Sequence, residues 1–231
     1  MCNKRSGLAL IFNQEKFFGR LGLNDRVDRY NLKERYNFQL SAEERETLYL
    51  TQLSAEADHS DADCFLLAFL SHREDNHVYC YDGKISIQDM MSMFKGDNCG
   101  DITQLMPMSI FNLQACRGKL FDEGVTVTPA DAVFADASAI RTLPAGADFI
   151  ICSSVAEGYY SFRETKKGSW YIQALCEMLR KYDNSLEFTE LLTLVNRKVS
   201  MRNVPKSCDT QLVGKKQMPC FASMLTKKLY F

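Results

Sequence analysis

The run MSIFNLQACRG, residues 108–118, is apolar through Leu113, turns polar at Gln114 and sets Cys116 just past the apolar stretch. A short apolar run closed by polar residues reads as a strand buried on both faces. Leu8–Phe12, Cys64–Leu70 and Phe149–Cys152 repeat the pattern. Amphipathic helices are expected between and after them. Ser41-Ala-Glu-Glu44 is a capping box opening a helix to about Ala57. Ser86 is placed to cap a helix through Met90, Met91 and Phe94 that stops at Gly96. Ser169 starts another, with Ile172, Leu175, Met178, Leu179 and Tyr182 on one side, and Phe188, Leu191, Leu192, Val195 and Val199 stripe the next. Val78 to Ile87 alternates around Asp82-Gly83, a tight hairpin signal. Strands alternating with helices predict an α/β fold with a mostly parallel central sheet flanked by helices.

Composition narrows the function classes. Lys and Arg total 28 against 29 Asp and Glu, a formal charge of −1, which argues against a nucleic-acid surface or a polybasic membrane patch. The nine cysteines are odd in number and scattered, without a C-x-x-C pair or a metal-ligand cluster. They read as reduced thiols of a cytoplasmic protein needing no metal or cofactor. The early run LALIF is too short for a secretory segment, and nothing approaches the roughly 20 apolar residues of a membrane span. From about Lys119 to Ala147 periodicity disappears, and Ala, Asp, Thr, Val and Pro dominate. A loop of that length inside a domain is usually functional or disordered.

In an open α/β sheet, ligands gather outside the carboxyl ends of the strands. His72 ends the run Cys64–Leu70 and Cys116 ends Met108–Leu113. On adjacent parallel strands an imidazole and a thiol would meet in one crevice. The thiolate is the nucleophile there, and histidine activates it and then protonates a leaving amine. His59 and His77, on loop and hairpin, read as surface residues.

Gln114-Ala-Cys-Arg-Gly118, with a histidine about 50 residues upstream, is a local signature of caspases. Gly7-Leu-Ala-Leu-Ile-Phe-Asn13, Leu70-Ser-His72, Phe94-Lys-Gly-Asp97, Gly158-Tyr-Tyr-Ser-Phe-Arg163 and Gly168-Ser-Trp-Tyr-Ile-Gln173 also resemble caspase segments. So do Val195-Asn-Arg-Lys-Val199, Lys216-Gln-Met-Pro219 and Leu225 to Phe231. They occur in family order over almost the whole chain, which is identified as a member of the caspase family, most similar to its short-prodomain executioner type.

The resemblance implies a caspase-like three-layer sandwich and an aspartate-specific cysteine endopeptidase acting in apoptosis or a related cascade. Residues 1–6 would be a vestigial prodomain, 7–118 the large part, 119–147 a cleavable linker and 148–231 the small part. Cys116 would be the nucleophile and His72 the general acid/base, with an oxyanion hole from the backbone N–H groups of Cys116 and Arg73. Gln114 and Arg163 would line the pocket for the P1 aspartate, with Ser161 in the same substrate-binding run. Phe162 and Trp170 would wall the P2 and P4 subsites. A second P1 arginine is expected in an R-x-G context; Arg20-Leu-Gly22 fits, Arg26 fits an alternative alignment, and Arg20 is preferred. Processing is expected after Asp131 and Asp136, each followed by alanine, with Asp122 a weaker third site. The resemblance further implies a homodimer of large/small heterodimers joined along the final strand, about Cys220–Lys227. Implied partners are protein substrates with P1 aspartate, other caspases and inhibitor-of-apoptosis proteins, the last through Ala132-Val-Phe-Ala135.

Two departures stand out. Caspases place glycine after the catalytic histidine, where this chain has Arg73, and glycine tolerates backbone angles that strain other residues. Near Val204-Pro-Lys206 the aromatics that executioner enzymes carry against P4 are missing. Arg73 keeps open an alternative: a weak or inactive homologue that regulates another caspase by heterodimerisation.

Overall fold

The structure, a computed structural model, describes residues 5–13, 62–74, 76–80, 83–94, 108–115, 147–164, 167–182, 185–205 and 210–231. Cys116, Arg20, Arg26, His59, Asp122, Asp131, Asp136, Lys206, nearly all of the linker and the helix expected from Ser41 lie outside the described residues.

Alternation of apolar side chains along the short runs builds the layers. β1 (Arg5–Asn13) and β2 (Ala62–Leu70) pair in parallel. Past β2, the short strands β3 (Arg73–Glu74), β4 (His77–Tyr79) and β5 (Lys84–Ser86) form an antiparallel sheet of their own. The expected hairpin is therefore β4–β5, and β3 joins it as a third strand. Ser86 Oγ accepts from the Asp89 N–H at 3.3 Å and caps α1 (Ile87–Ser92). This helix ends before Gly96: the Phe94 N–H donates to the Met91 carbonyl at 3.2 Å, a tightened last turn that buries Phe94.

β6 (Met108–Gln114) pairs in parallel with β2, and β7 (Phe149–Ser153) in parallel with β6. β8 (Arg163–Glu164) and β9 (Gly168–Ser169) form a small ribbon leading into α2 (Trp170–Tyr182). Ser169 Oγ accepts from the Ile172 N–H at 3.3 Å at the start of α2. α3 (Phe188–Ser200) buries Phe188, Leu191, Leu192, Val195 and Val199, the stripe expected from spacing. Its N-cap is a buried glutamate: Glu187 accepts from the Thr189 N–H, and Glu190 accepts from the Glu187 N–H. β10 (Cys220–Ser223) closes the sheet antiparallel to β7, giving the order β1-β2-β6-β7-β10 among the described residues.

The sheet is covered on both faces, as its apolar runs require. One face sets Ala9, Ile11, Leu66, Ala68, Ile110, Ile150 and Cys152 against α2 and α3. The other is aromatic: Phe12, Phe65, Phe69, Phe111 and Phe149 pack with Met90 of α1 and with Phe94. Phe94 stacks on Phe65 at 4.5 Å and meets Phe111 edge-on at 5.6 Å, and Phe111 stacks on Phe149 at 5.7 Å.

The final strand is shorter than the expected Cys220–Lys227. The pairing ends at Met224, whose N–H donates to the Phe149 carbonyl at 2.7 Å and whose carbonyl accepts from the Asp148 N–H at 2.9 Å. Asp148 then takes over, in the left-handed region at φ 60. Its Oδ1 accepts from the Thr226 N–H at 2.8 Å and from Thr226 Oγ1 at 2.7 Å, drawing the chain off the ladder.

Phe111 is fully buried at the centre of the aromatic face. Phe111→Ala should destabilise the fold by about 3–5 kcal/mol. The measurement is urea unfolding, where the midpoint should fall with an unchanged m-value.

Candidate active site

The parallel register of β2 and β6 sets Leu70 opposite Gln114. Ser71 ties this level to the small sheet: its N–H donates to the Gln114 carbonyl at 3.2 Å, and its Oγ donates to the Tyr79 carbonyl at 2.6 Å. His72 follows and is exposed, with its carbonyl accepting from the Tyr79 N–H at 2.9 Å. β2 thus delivers an exposed imidazole at its carboxyl end, beside the carboxyl end of β6.

Arg73 sits in extended backbone, paired with Val78 of β4. Among the described non-glycine residues only Asp148 has a positive φ, so Arg73 occupies no conformation that demands glycine. Of the two readings of a non-glycine residue after the histidine, strained or ordinary, β3 gives the ordinary one, with strand angles. The ladder also orients its amide. His72 and Tyr79 are a hydrogen-bonded pair, so alternation makes Arg73 and Val78 a non-hydrogen-bonded pair, whose N–H points away from β4.

Gln114, the last residue of β6, is buried at 8 % exposure on the face toward α2. Its Nε2 donates to Ser161 Oγ at 3.0 Å, and its buried Oε1 has no partner among the described residues. Ser161 opens the short run that carries Phe162 and exposed Arg163 into β8. Two glycines in the left-handed region flank this segment, Gly158 at φ 89 and Gly168 at φ 88, where an L side chain would be strained. The Trp170 N–H donates to the Phe162 carbonyl at 3.1 Å, and the two rings pack at 5.1 Å. Arg202 lies over the indole at 4.7 Å, pairs with Glu164 and donates to Gln173 Oε1 at 3.2 Å. A guanidinium stacked on the indole and held by a carboxylate keeps Trp170 in one orientation.

The structure therefore brings Gln114, Ser161, Phe162, Arg163 and Trp170 into one connected segment. It places His72 at the end of the strand next to Gln114. Sequence reasoning assigned no role to Ser154 or Gln217, both buried, the first bonded to Ala115 and the second to Phe162. Gln217 stood inside the quoted Lys216-Gln-Met-Pro219, but Ser154 carried no signal in spacing or composition.

The described cysteines other than Cys220 are buried. Burial pushes the Cys152 thiol up to about 12. The unfolded thiol titrates at the ordinary 9.0. The stability this represents is thus complete below about pH 9 and is lost as pH climbs toward the folded value. Cys152 is a packing residue, and iodoacetamide at pH 8 should leave it unmodified in the folded protein. Peptide mass mapping checks this; a Cys152 adduct under native conditions would mean that the core opens.

Comparison with known proteins completes the picture. A family model described as Caspase domain matches residues 6–230. The chain is 53% identical to Caspase-6 of Mus musculus over 255 residues, covering all of this chain and 90% of the relative. It is 52% identical to Caspase-6 of Bos taurus, with all of this chain and 85% of the relative covered. Caspase-3 of Felis catus is 39% identical, over 97% of this chain and 83% of the relative. Among solved structures, the crystal structure of Caspase-1 from Spodoptera frugiperda superposes with a TM-score of 0.83. It is 34% identical, with 99% of this chain and 90% of that chain covered.

Proposed function

This chain belongs to the caspase family and is a cysteine-type endopeptidase cleaving after aspartate in apoptosis, and we propose which of its residues carry the reaction. Cys116 is the nucleophile and His72 the general acid/base. The observation that carries this assignment is the register of β2 and β6. Leu70 lies opposite Gln114, His72 is two residues past Leu70, and Cys116 is two residues past Gln114. His72 accepts the thiol proton, Cys116 Sγ attacks the scissile carbonyl, and the histidine returns the proton to the departing amine. The oxyanion takes hydrogen bonds from the backbone N–H groups of Cys116 and Arg73. The direction of the Arg73 amide, away from β4, supports its part. Ordinary strand angles at Arg73 speak for the enzyme over the alternative, a weak or inactive homologue that regulates another caspase by heterodimerisation.

Arg163, Gln114 and Arg20 hold the P1 carboxylate, Arg163 by two charge-assisted hydrogen bonds. Ser161, bonded to Gln114, fixes the amide's orientation, and Phe162 and Trp170 wall the neighbouring subsites. The chain is one caspase domain in two parts, 7–118 and 148–231, with the linker 119–147 cut after Asp131 and Asp136. A cut after Asp131 alone would expose Ala132-Val-Phe-Ala135 to inhibitor-of-apoptosis proteins. β10 pairs with β7 along one edge, and its Ala222 and Ser223 are exposed. A second protomer's β10 adds to the other edge, giving a homodimer of processed chains. The site of action is the cytoplasm.

Cys116→Ala should abolish cleavage of tetrapeptides ending in aspartate, and His72→Ala should lower it by several orders of magnitude, because the pair acts as a unit. Intact-mass analysis reads the linker in the same samples. Wild type should split after Asp131 or Asp136, while Cys116→Ala stays whole until an active caspase is added. A Cys116→Ala protein as active as wild type would defeat the assignment.

Arg163→Ala should erase the preference for aspartate over asparagine at P1. Paired kcat/KM values on the two substrates measure it, and retained selectivity would mean that the pocket lies elsewhere.

A further inference from the structure

Two buried side chains join the segment that carries Arg163 to the residue before Cys116. Gln217 is 1 % exposed and lies just ahead of β10. Its Oε1 accepts from the Phe162 N–H at 2.7 Å, and its Nε2 donates to the Ser154 carbonyl at 2.7 Å. Ser154, fully buried at the end of β7, engages Ala115 twice. Its Oγ accepts from the Ala115 N–H at 3.3 Å and donates to the Ala115 carbonyl at 3.1 Å. Its own N–H donates to the Leu113 carbonyl at 3.0 Å, and the Ala156 N–H donates to the Met218 carbonyl at 2.9 Å alongside.

The two ends of Gln217 need opposite chemistry. Phe162 offers an N–H and needs an acceptor, whereas Ser154 offers a carbonyl and needs a donor. A carboxamide supplies both from one planar group; an ionised carboxylate has no donor, and an apolar side chain has neither. Arg163 follows Phe162 in the chain, and Cys116 follows Ala115. The bridge therefore spans the two points whose separation decides whether a P1 aspartate held by Arg163 presents its carbonyl to Cys116.

We propose that Gln217 is a positioning residue for the cleavage reaction, acting with Ser154 to fix the spacing between the pocket segment and the nucleophile. This rests on the assignment of Cys116 and Arg163 above. Gln217 touches no reacting atom; it acts through the Phe162 amide and through Ser154. A misplacement of about 1 Å between bound substrate and nucleophile costs on the order of a hundredfold in rate.

The test uses processed enzyme, with active sites counted by an aspartyl fluoromethyl ketone probe. Gln217→Met keeps length and volume without hydrogen bonds. Gln217→Glu keeps the acceptor, and regains the donor only when its carboxyl is protonated. For Gln217→Met, kcat/KM per active site should fall by roughly tenfold to a hundredfold, mostly in kcat. The preference for aspartate over glutamate at P1 should shrink with it. For Gln217→Glu, activity relative to wild type should rise as pH falls. Unchanged kcat/KM and P1 preference in Gln217→Met, whatever its melting temperature, would overturn the proposal. If Gln217→Met does not fold, the Gln217→Glu ratio decides, and a ratio flat with pH overturns it. Mass mapping of the probe on wild type separates the two readings. An adduct away from Cys116 defeats the nucleophile assignment, whereas an adduct on Cys116 with unaltered Gln217 variants defeats the bridge alone.

Discussion

The pairing of β2 with β6 is the constraint on which the site depends. Strand side chains alternate, so a slip of one residue would turn Gln114 from the α2 face to the aromatic face and send its amide into a cluster of phenylalanines. The register is held by burial on both sides of the sheet. Leu66, Ala68 and Ile110 are fully covered toward α2 and α3, and Leu67 and Phe111 are as fully covered toward α1. Ser71 then converts this apolar register into polar geometry, bonding to Gln114 on one side and to Tyr79 on the other. His72 inherits its place from those bonds.

Polar groups sunk near the carboxyl ends of the strands follow a second rule, that a buried donor or acceptor is costly unless matched. Ser154 and Gln217 satisfy backbone groups that no ladder reaches, because β6 and β7 have ended there and the chain turns toward β8. Hydrogen bonds in such a place are insulated from water and hold atoms more firmly than surface contacts do. Gln114 Oε1 is buried and has no partner among the described residues.

Arg73 illustrates how local sequence rules and tertiary pairing divide the work. A non-glycine residue after the histidine leaves strained and ordinary backbone angles both open when read in sequence alone. The two-residue strand β3 decides for ordinary angles by recruiting Arg73 into the hairpin sheet, with its amide turned outward. Arg202 makes a similar point at the other wall. Its stacking on Trp170 and its ion pair with Glu164 join residues far apart in the chain, and no periodicity announces them.

The sequence by itself determined the layers. Apolar runs buried on both faces had to be central strands, and the stripes beginning at Ile172 and Phe188 had to be helices lying on them, because the hydrophobic effect reads period and amphipathicity locally. It also determined family and chemistry, since Gln114 to Gly118 with His72 upstream is a local signature. Tertiary structure alone decided the rest. Residues 220–223 lie beside β7, Asp148 stops that strand by capturing Thr226, and a buried glutamate caps α3. Gln217 and Ser154 join Phe162 to Ala115 by the same route. Each of these is a pairing between residues remote in the chain, and the partner of a buried polar group is fixed only when the whole sheet has closed around it.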